Sequence, residues 1–183
     1  MIDDSLQWDT TGSEIDYECP GFDVRRDAVE LPDGTETDYH YVDESPAVVI
    51  LPFTPDGDLV VIEEWRQAVD RVNRGLPAGS MEGDEEILAA ASRELREETG
   101  YEAGKFEQLL TTEPSNGIAN SVHHHVVAHG CEPTADQQLD DNESIRVEVA
   151  DYDEFLDSVV TDQLDDGRSA LTILHYELTH KTE

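Results

Sequence analysis

Lysine is almost missing. Lys105 and Lys181 are the only two among eleven basic residues, and 44 aspartates and glutamates oppose them. That shortage of positive charge excludes nucleic-acid binding through a broad basic surface, which needs cations clustered on one face. Cysteine is as scarce. Cys19 and Cys131 lack the spacing of a metal site and read as buried free thiols. No apolar run approaches the roughly 18 residues of a membrane-crossing helix. The opening stretch MIDDSLQWDT has neither the basic nor the apolar region of a signal peptide. A cytoplasmic location is expected, with no membrane and no nucleic acid as partner.

What is abundant is negative charge, a net −33 over 183 residues. Self-repulsion of that size opposes a compact state in dilute salt. At molar salt the screening length falls to about 3 Å and the repulsion largely disappears. The composition resembles that of a protein from a salt-accumulating halophile. A disordered acidic chain is the alternative; the 37% hydrophobic content, arranged in regular apolar segments, argues against it.

Residues 1–16 are polar and read as loose, with Leu6 and Trp8 available to dock. Phe22–Val29 and Thr37–Val42 read as two strands joined by a turn at Leu31-Pro32-Asp33-Gly34. Ala47–Leu51 and Leu59–Ile62 form a second strand pair around Pro55-Asp56-Gly57-Asp58. Further strands are expected near Phe106–Thr112, Val122–Ala128 and Ile145–Val149. Asp151 can cap a helix through Val160, with Phe155, Leu156, Val159 and Val160 inward. A last helix near Ser169–Leu178 would turn Leu171, Leu174 and Leu178 to one side. This order suggests a mixed α/β sandwich, with an N-terminal β subdomain over 1–44 and a larger domain over 45–183.

The chain is organised around GSMEGDEEILAAASRELREETGY, Gly79 to Tyr101. Glu94, Glu97 and Glu98 recur at i, i+3 and i+4, which places three carboxylates on one face of a helix. Such a run is either a solvated face or a cradle for a hard divalent cation. Asp84, Glu85 and Glu86 load the helix start with charge that suits the positive end of its dipole. Leu88, Ala91 and Leu95 give an apolar stripe, and Gly100 suits a left-handed C-terminal cap. On one straight helix Glu85, nine residues before Glu94, points away from the acidic face. It is therefore read as orienting Arg93 rather than as a ligand. Taken alone, Arg93 could be only a surface ion pair, worth little. Arg66 is either a surface charge or a guanidinium for a phosphate. His123-His124-His125 invites a metal reading, but neighbouring strand residues face opposite ways, so at most two of them share a side. The acidic loop QQLDDNES offers Asp141 and Glu143 as a general base on bound water.

The stretch resembles the Nudix box: glycine, five residues, glutamate, seven residues, Arg-Glu, an aliphatic, any residue, Glu-Glu, any residue, glycine, then an apolar residue. All nine fixed positions are met, with Tyr101 where an aliphatic is commoner. Most of the chain is similar to the ADP-ribose pyrophosphatase subgroup. The hairpin with Leu31-Pro32-Asp33-Gly34 carries that likeness, with Trp65-Arg66, Leu76-Pro77-Ala78-Gly79, Pro114, Asn142–Val147 and Arg168–Leu171. The resemblance implies a Nudix α/β/α sandwich preceded by an N-terminal antiparallel sheet that packs against, or exchanges with, a second subunit in a homodimer. It implies Mg²⁺ or Mn²⁺ held by the Ala78 carbonyl, Glu94, Glu97 and Glu98. It also implies a catalytic role for Arg93, and substrate contacts at Arg66, Gly79 and Pro114. Asp141 or Glu143 would activate water, and ADP-ribose would yield AMP and ribose 5-phosphate. Gly75 stands where the subgroup commonly has an acid before Leu-Pro-Ala-Gly, and Ala119 and Ser121 stand where it often has serine and glutamate. Nucleotide sugars, NADH or nucleoside triphosphates therefore stay open as substrates. A non-catalytic nucleotide-sensing module is the reading of a different class, and the intact carboxylate set argues against it.

Overall fold

The computed structural model describes residues 4–180. They divide into two compact units: the chain up to Ser45 with Glu113–Val122, and Pro46–Thr112 with the chain from His123 on.

The first unit is an antiparallel sheet of β1 (Asp9–Glu18), β2 (Asp23–Glu30) and β3 (Glu36–Asp43), in that order. The turn between β2 and β3 needs Gly34, whose φ is +83°. The strand β1 corrects the expectation of a loose start: it is paired with β2 along its length, yet every residue in it is exposed. Its stability comes from ladder hydrogen bonds rather than burial, so no apolar alternation marks it in the sequence. Cys19, just after β1, is half-buried rather than buried. Residues 113–122 fasten to β3. The Val42 amide donates to the Ile118 carbonyl at 2.9 Å, and the Tyr39 hydroxyl to the Gly117 carbonyl at 2.8 Å.

The second unit is built on a mixed seven-stranded sheet. Its main path runs β12 (Ile145–Ala150), β5 (Leu59–Arg66), β4 (Ala47–Phe53), β10 (His123–His129), β9 (Lys105–Thr112). Only β4 and β10 run parallel. Two short strands, β6 (Arg71–Gly75) on β5 and β7 (Ala78–Ser80) on β4, occupy what reads as loop in the sequence. A two-residue pair, β8 (Tyr101–Glu102) with β11 (Glu132–Pro133), completes the strands.

The central strands are apolar on both faces, and their two-residue period splits the core. Val49, Leu51, Val61 and Val127 pack with Phe155 and Ile173 from α2 (Tyr152–Val160) and α3 (Gly167–His180). Val48, Ile50, Val60 and Val126 pack with Ala90, Ala91 and Leu95 from α1 (Ile87–Thr99). The result is the α/β/α sandwich. Asp151 caps α2 by accepting the Glu154 amide at 3.0 Å. One helix face differs from expectation: Val160 is exposed at the end of α2. In α3 Leu171, Leu174 and Leu178 share one side as expected, and that side faces solvent, while Ser169, Thr172 and Ile173 face the sheet. Among the described residues no helix is long and apolar enough to cross a membrane.

One of the inward polar residues of α3, Thr172, is explained by His125, which is fully buried. Its Nδ1 lies 2.7 Å from Thr172 Oγ1 and its Nε2 lies 3.0 Å from Thr112 Oγ1. The Thr172 hydroxyl donates to the Arg168 carbonyl. It therefore receives the Nδ1 proton, and Nε2 accepts from Thr112. Burial, and then the neighbouring histidines and Arg168, push the imidazole down to about 4. A histidine depressed in the fold contributes stability that is present above its unfolded value and lost as pH falls toward the folded one. The window is about 6.5 to 4, and the loss approaches about 3 kcal/mol. Imidazole NMR signals of His125 should stay flat from pH 8 to 5.5; a midpoint near 6.5 would refute this neutral, doubly bonded state.

Candidate active site

The acidic face of α1 is not the solvated one. Glu98 is 3% exposed and Glu94 8%, and they share the sheet-facing side with Ala91 and Leu95. Leu88, expected in the apolar stripe, is 41% exposed, and Ile87 and Ala90 take its place. The helix also begins later than the charge run suggests. Glu86 occupies the cap position without a side-chain cap bond, and no acid lies in the first turn. Glu85 is therefore off the helix, in a turn where its amide donates to the Glu82 carbonyl at 3.0 Å. Freed from the helical period, its side chain can reach Arg93.

Arg93 is the hub of the arrangement. Its Nε and Nη2 donate to the two Glu85 oxygens at 3.2 and 2.9 Å. Its Nη1 donates to Glu94 Oε1 at 2.7 Å and Glu97 Oε2 at 3.1 Å, and Nη2 also donates to the Ser80 carbonyl at 3.0 Å. A fork held bidentate on one carboxylate fixes the plane in which it offers its remaining protons. Hydrogen bonding from Arg93 holds Glu85 below the usual carboxylate range. Hydrogen bonding with Glu85, ahead of the bonds to Glu94 and Glu97, likewise raises Arg93 despite its burial.

Gly79 lies in β7, against this face of α1. A Cβ built on it would stand 2.2 Å from the Glu94 carboxylate, so only glycine leaves room there. The neighbouring Ala78 amide donates to Glu98 Oε2 at 2.9 Å. Gly100 closes the helix in the left-handed region at φ +74°, with its amide on the Arg96 carbonyl.

The electrostatics are those of carboxylates short of cations. Burial drives Glu98 well above the ordinary range; the Ala78 amide opposes this, and the charges of Glu94, Glu143 and Glu64 add to it. Burial also raises Glu94, with Arg93 opposing and Glu97 and Glu143 adding. Among the described residues no three acidic or imidazole groups converge as a finished metal cage. Glu94 and Glu97 lean on Arg93, and Glu98 leans on Ala78. Each of these bonds uses one oxygen of its carboxylate. The donor set, hard oxygens with unbalanced charge beside a side-chain-free glycine, fits a divalent cation of the magnesium type.

Of the two loop acids, Glu143 is half-buried and its charge is felt at Glu64, Glu94 and Glu98, whereas Asp141 is exposed. The loop is tied to the helix end by Gln138 N–H on the Glu97 carbonyl at 2.8 Å. Gln137 Nε2 adds a bond to the Glu98 carbonyl at 2.6 Å. Arg66, at the end of β5, pairs with Glu64 at 2.7 Å and lines a cavity of about 230 Å³ with Arg74, Asp166 and Arg168. Glu64, Arg74 and Asp166 were not singled out from the sequence; the scarcity of bases in this chain is the signal that could have drawn attention to Arg74. Pro114 lies exposed in the first unit.

The NUDIX domain model matches residues 43–169, and the model of a nucleoside diphosphate sugar hydrolase N-terminal domain matches residues 8–42. An ADP-ribose pyrophosphatase of Bacillus subtilis is 29% identical over 95% of each chain. A methanol dehydrogenase activator of Bacillus methanolicus is 29% identical over 83% of each. A solved structure described as an ADP compounds hydrolase superposes with a TM-score of 0.83 over 96% of each chain, at 22% identity, and so shares the fold. A family match across two thirds of the chain, which includes the helix that carries these carboxylates, makes this protein a member of the NUDIX family and a Nudix hydrolase.

Proposed function

We propose that the protein hydrolyses the diphosphate bond of ADP-ribose, giving AMP and ribose 5-phosphate. The observation that carries the proposal is the Arg93 hub. One guanidinium, seated on Glu85, sets the positions of Glu94 and Glu97 beside buried Glu98 before any substrate arrives. The likeness to an ADP-ribose pyrophosphatase along 95% of the chain supports the choice of substrate.

Glu94, Glu97 and Glu98, with the Ala78 carbonyl, would hold the divalent ions. Bound Mg²⁺ or Mn²⁺ would neutralise charge building on the diphosphate oxygens and lower the pKa of an attacking water. Arg66 grips a phosphate through its guanidinium. Glu143 takes the proton from the water, a role its burial and its electrostatic coupling to the helix acids favour over exposed Asp141. A chain of net charge −33 accepts a diphosphate only where local cations reverse the field.

In molar salt with magnesium or manganese, the purified protein should release AMP from ADP-ribose faster than from ADP-glucose, NADH or ATP, and chelation should stop it. Absence of AMP from ADP-ribose under those conditions would end this assignment.

A further inference from the structure

The cavity beside Arg66 has an unusual lining for this chain. Three arginines, Arg66, Arg74 and Arg168, meet two carboxylates, Glu64 and Asp166. The lining is thus one charge positive in a protein of net −33. Its volume of about 230 Å³ falls below the roughly 300–1,000 Å³ of whole-ligand pockets. It therefore takes one fragment of a substrate. Among the described residues no aromatic ring lines it, so a nucleobase would find no aromatic stacking partner. Paired donors and acceptors instead suit a group rich in hydroxyls.

Its position follows from Gly75 and Leu76, which line it and lead directly to Ala78, whose amide bonds Glu98 at 2.9 Å, and to Gly79, which lies against Glu94. A group attached to a diphosphate that rests on the helix acids would extend into it. Its floor is preorganised. Asp166 Oδ1 accepts Arg168 Nε at 3.1 Å, and Asp166 Oδ2 accepts the Ser169 hydroxyl at 2.6 Å. Ser169 Oγ in turn accepts the Leu76 amide at 2.8 Å. The carboxylate fits because residue 75 has no side chain: a Cβ on Gly75 would lie 2.9 Å from Asp166 Oδ2. Burial raises Asp166, but Arg168 and Ser169 overcome it and hold the group below its usual value. Asp166 is thus a fixed, ionised acceptor beside a fixed donor.

We propose that this cavity seats the sugar on the far side of the scissile diphosphate, with Asp166 and Arg168 reading its hydroxyls as specificity-determining residues. The proposal rests on the hydrolase reading above and names the subsite that would discriminate among nucleoside diphosphate sugars. Calorimetry with ribose 5-phosphate as probe tests it apart from turnover. The wild type should bind the probe, and Arg168→Gln should weaken it about tenfold while AMP affinity stays within twofold; Arg168→Lys should recover part of the loss. In turnover, Arg168→Gln should raise KM for ADP-ribose more than it lowers kcat. Gly75→Ala, which pushes on Asp166, provides a second variant if the first does not fold. Wild-type protein that hydrolyses ADP-ribose but binds no ribose 5-phosphate, or Arg168→Gln that binds it unchanged, would overturn the subsite and leave the activity standing. Failure to hydrolyse ADP-ribose would strike the activity, and the probe would still decide the cavity.

Discussion

Glu98→Gln should lose at least about a thousandfold in AMP release, close to 4 kcal/mol of transition-state stabilisation, and yet be no less stable than the wild type in metal-free buffer. The two halves have one cause. Glu98 is 3% exposed, and its carboxylate is held far above its usual pKa mainly by burial. A buried charge without a cation costs free energy. Glutamine keeps the shape, and its amide oxygen can still accept the Ala78 N–H that Glu98 Oε2 accepts at 2.9 Å. It removes the charge that a divalent ion requires. The pH dependence separates this from generic damage. A carboxyl raised in the folded state binds its proton more tightly there than in the unfolded chain. The native state then gains stability as pH falls into the window between the two values. Metal-free wild type should show this gain relative to Glu98→Gln. The His125 contribution is common to both proteins and cancels in the difference. Thermal or urea unfolding in molar salt, with and without Mn²⁺, reads the result. A destabilised Glu98→Gln, or one that keeps turning over, would show that the buried acid serves packing rather than chemistry.

How much was visible in the sequence depended on whether the physics was local. β4 and β5 announce themselves because strands buried on both faces must be apolar without interruption. The Gly100 cap and the Asp151 cap are single-residue signals with a conformational cause. β1 gives no such signal, since its order comes from hydrogen bonds to β2 and its side chains all face water. β6 and β7 are hidden for a related reason: three- and five-residue strands show too few periods to register. The leucines of α3 mark one face of the helix but not which way it points: the opposite face is buried, with Thr172 on His125, and the leucines are exposed.

Within the site, the spacing of Glu94, Glu97 and Glu98 was legible as one helical face, but not which side of the helix that face occupies. Two of the three are buried against the sheet and the third is half-exposed. The reach of Glu85 to Arg93 follows from Glu85 lying outside the helix, a boundary that spacing alone placed too early. The cavity was invisible because Glu64, Arg74 and Arg168 come from separated segments, and only tertiary structure collects them.

Gly79→Ala should lower turnover about a hundredfold with little change in unfolding free energy. Gly79 does not have the positive φ that demands glycine for backbone reasons. Alanine is therefore acceptable to the chain itself, and β7 can keep its pairing with β4. The conflict lies elsewhere. The new methyl would stand 2.2 Å from the Cδ and Oε2 of Glu94 and 2.4 Å from its Oε1. A carboxylate at the end of a flexible side chain yields more readily than a strand, so Glu94 is the group that moves. In moving it leaves the 2.7 Å bond from Arg93 Nη1 and the position beside Glu98. Misplacement of a catalytic group by about 1 Å costs on the order of a hundredfold. The loss should be accompanied by weaker Mn²⁺ uptake in calorimetry, while the circular dichroism spectrum and melting temperature stay near those of the wild type. Turnover within threefold of wild type would mean that Glu94 can leave its place without consequence, and the close approach of strand to carboxylate would then be mere packing.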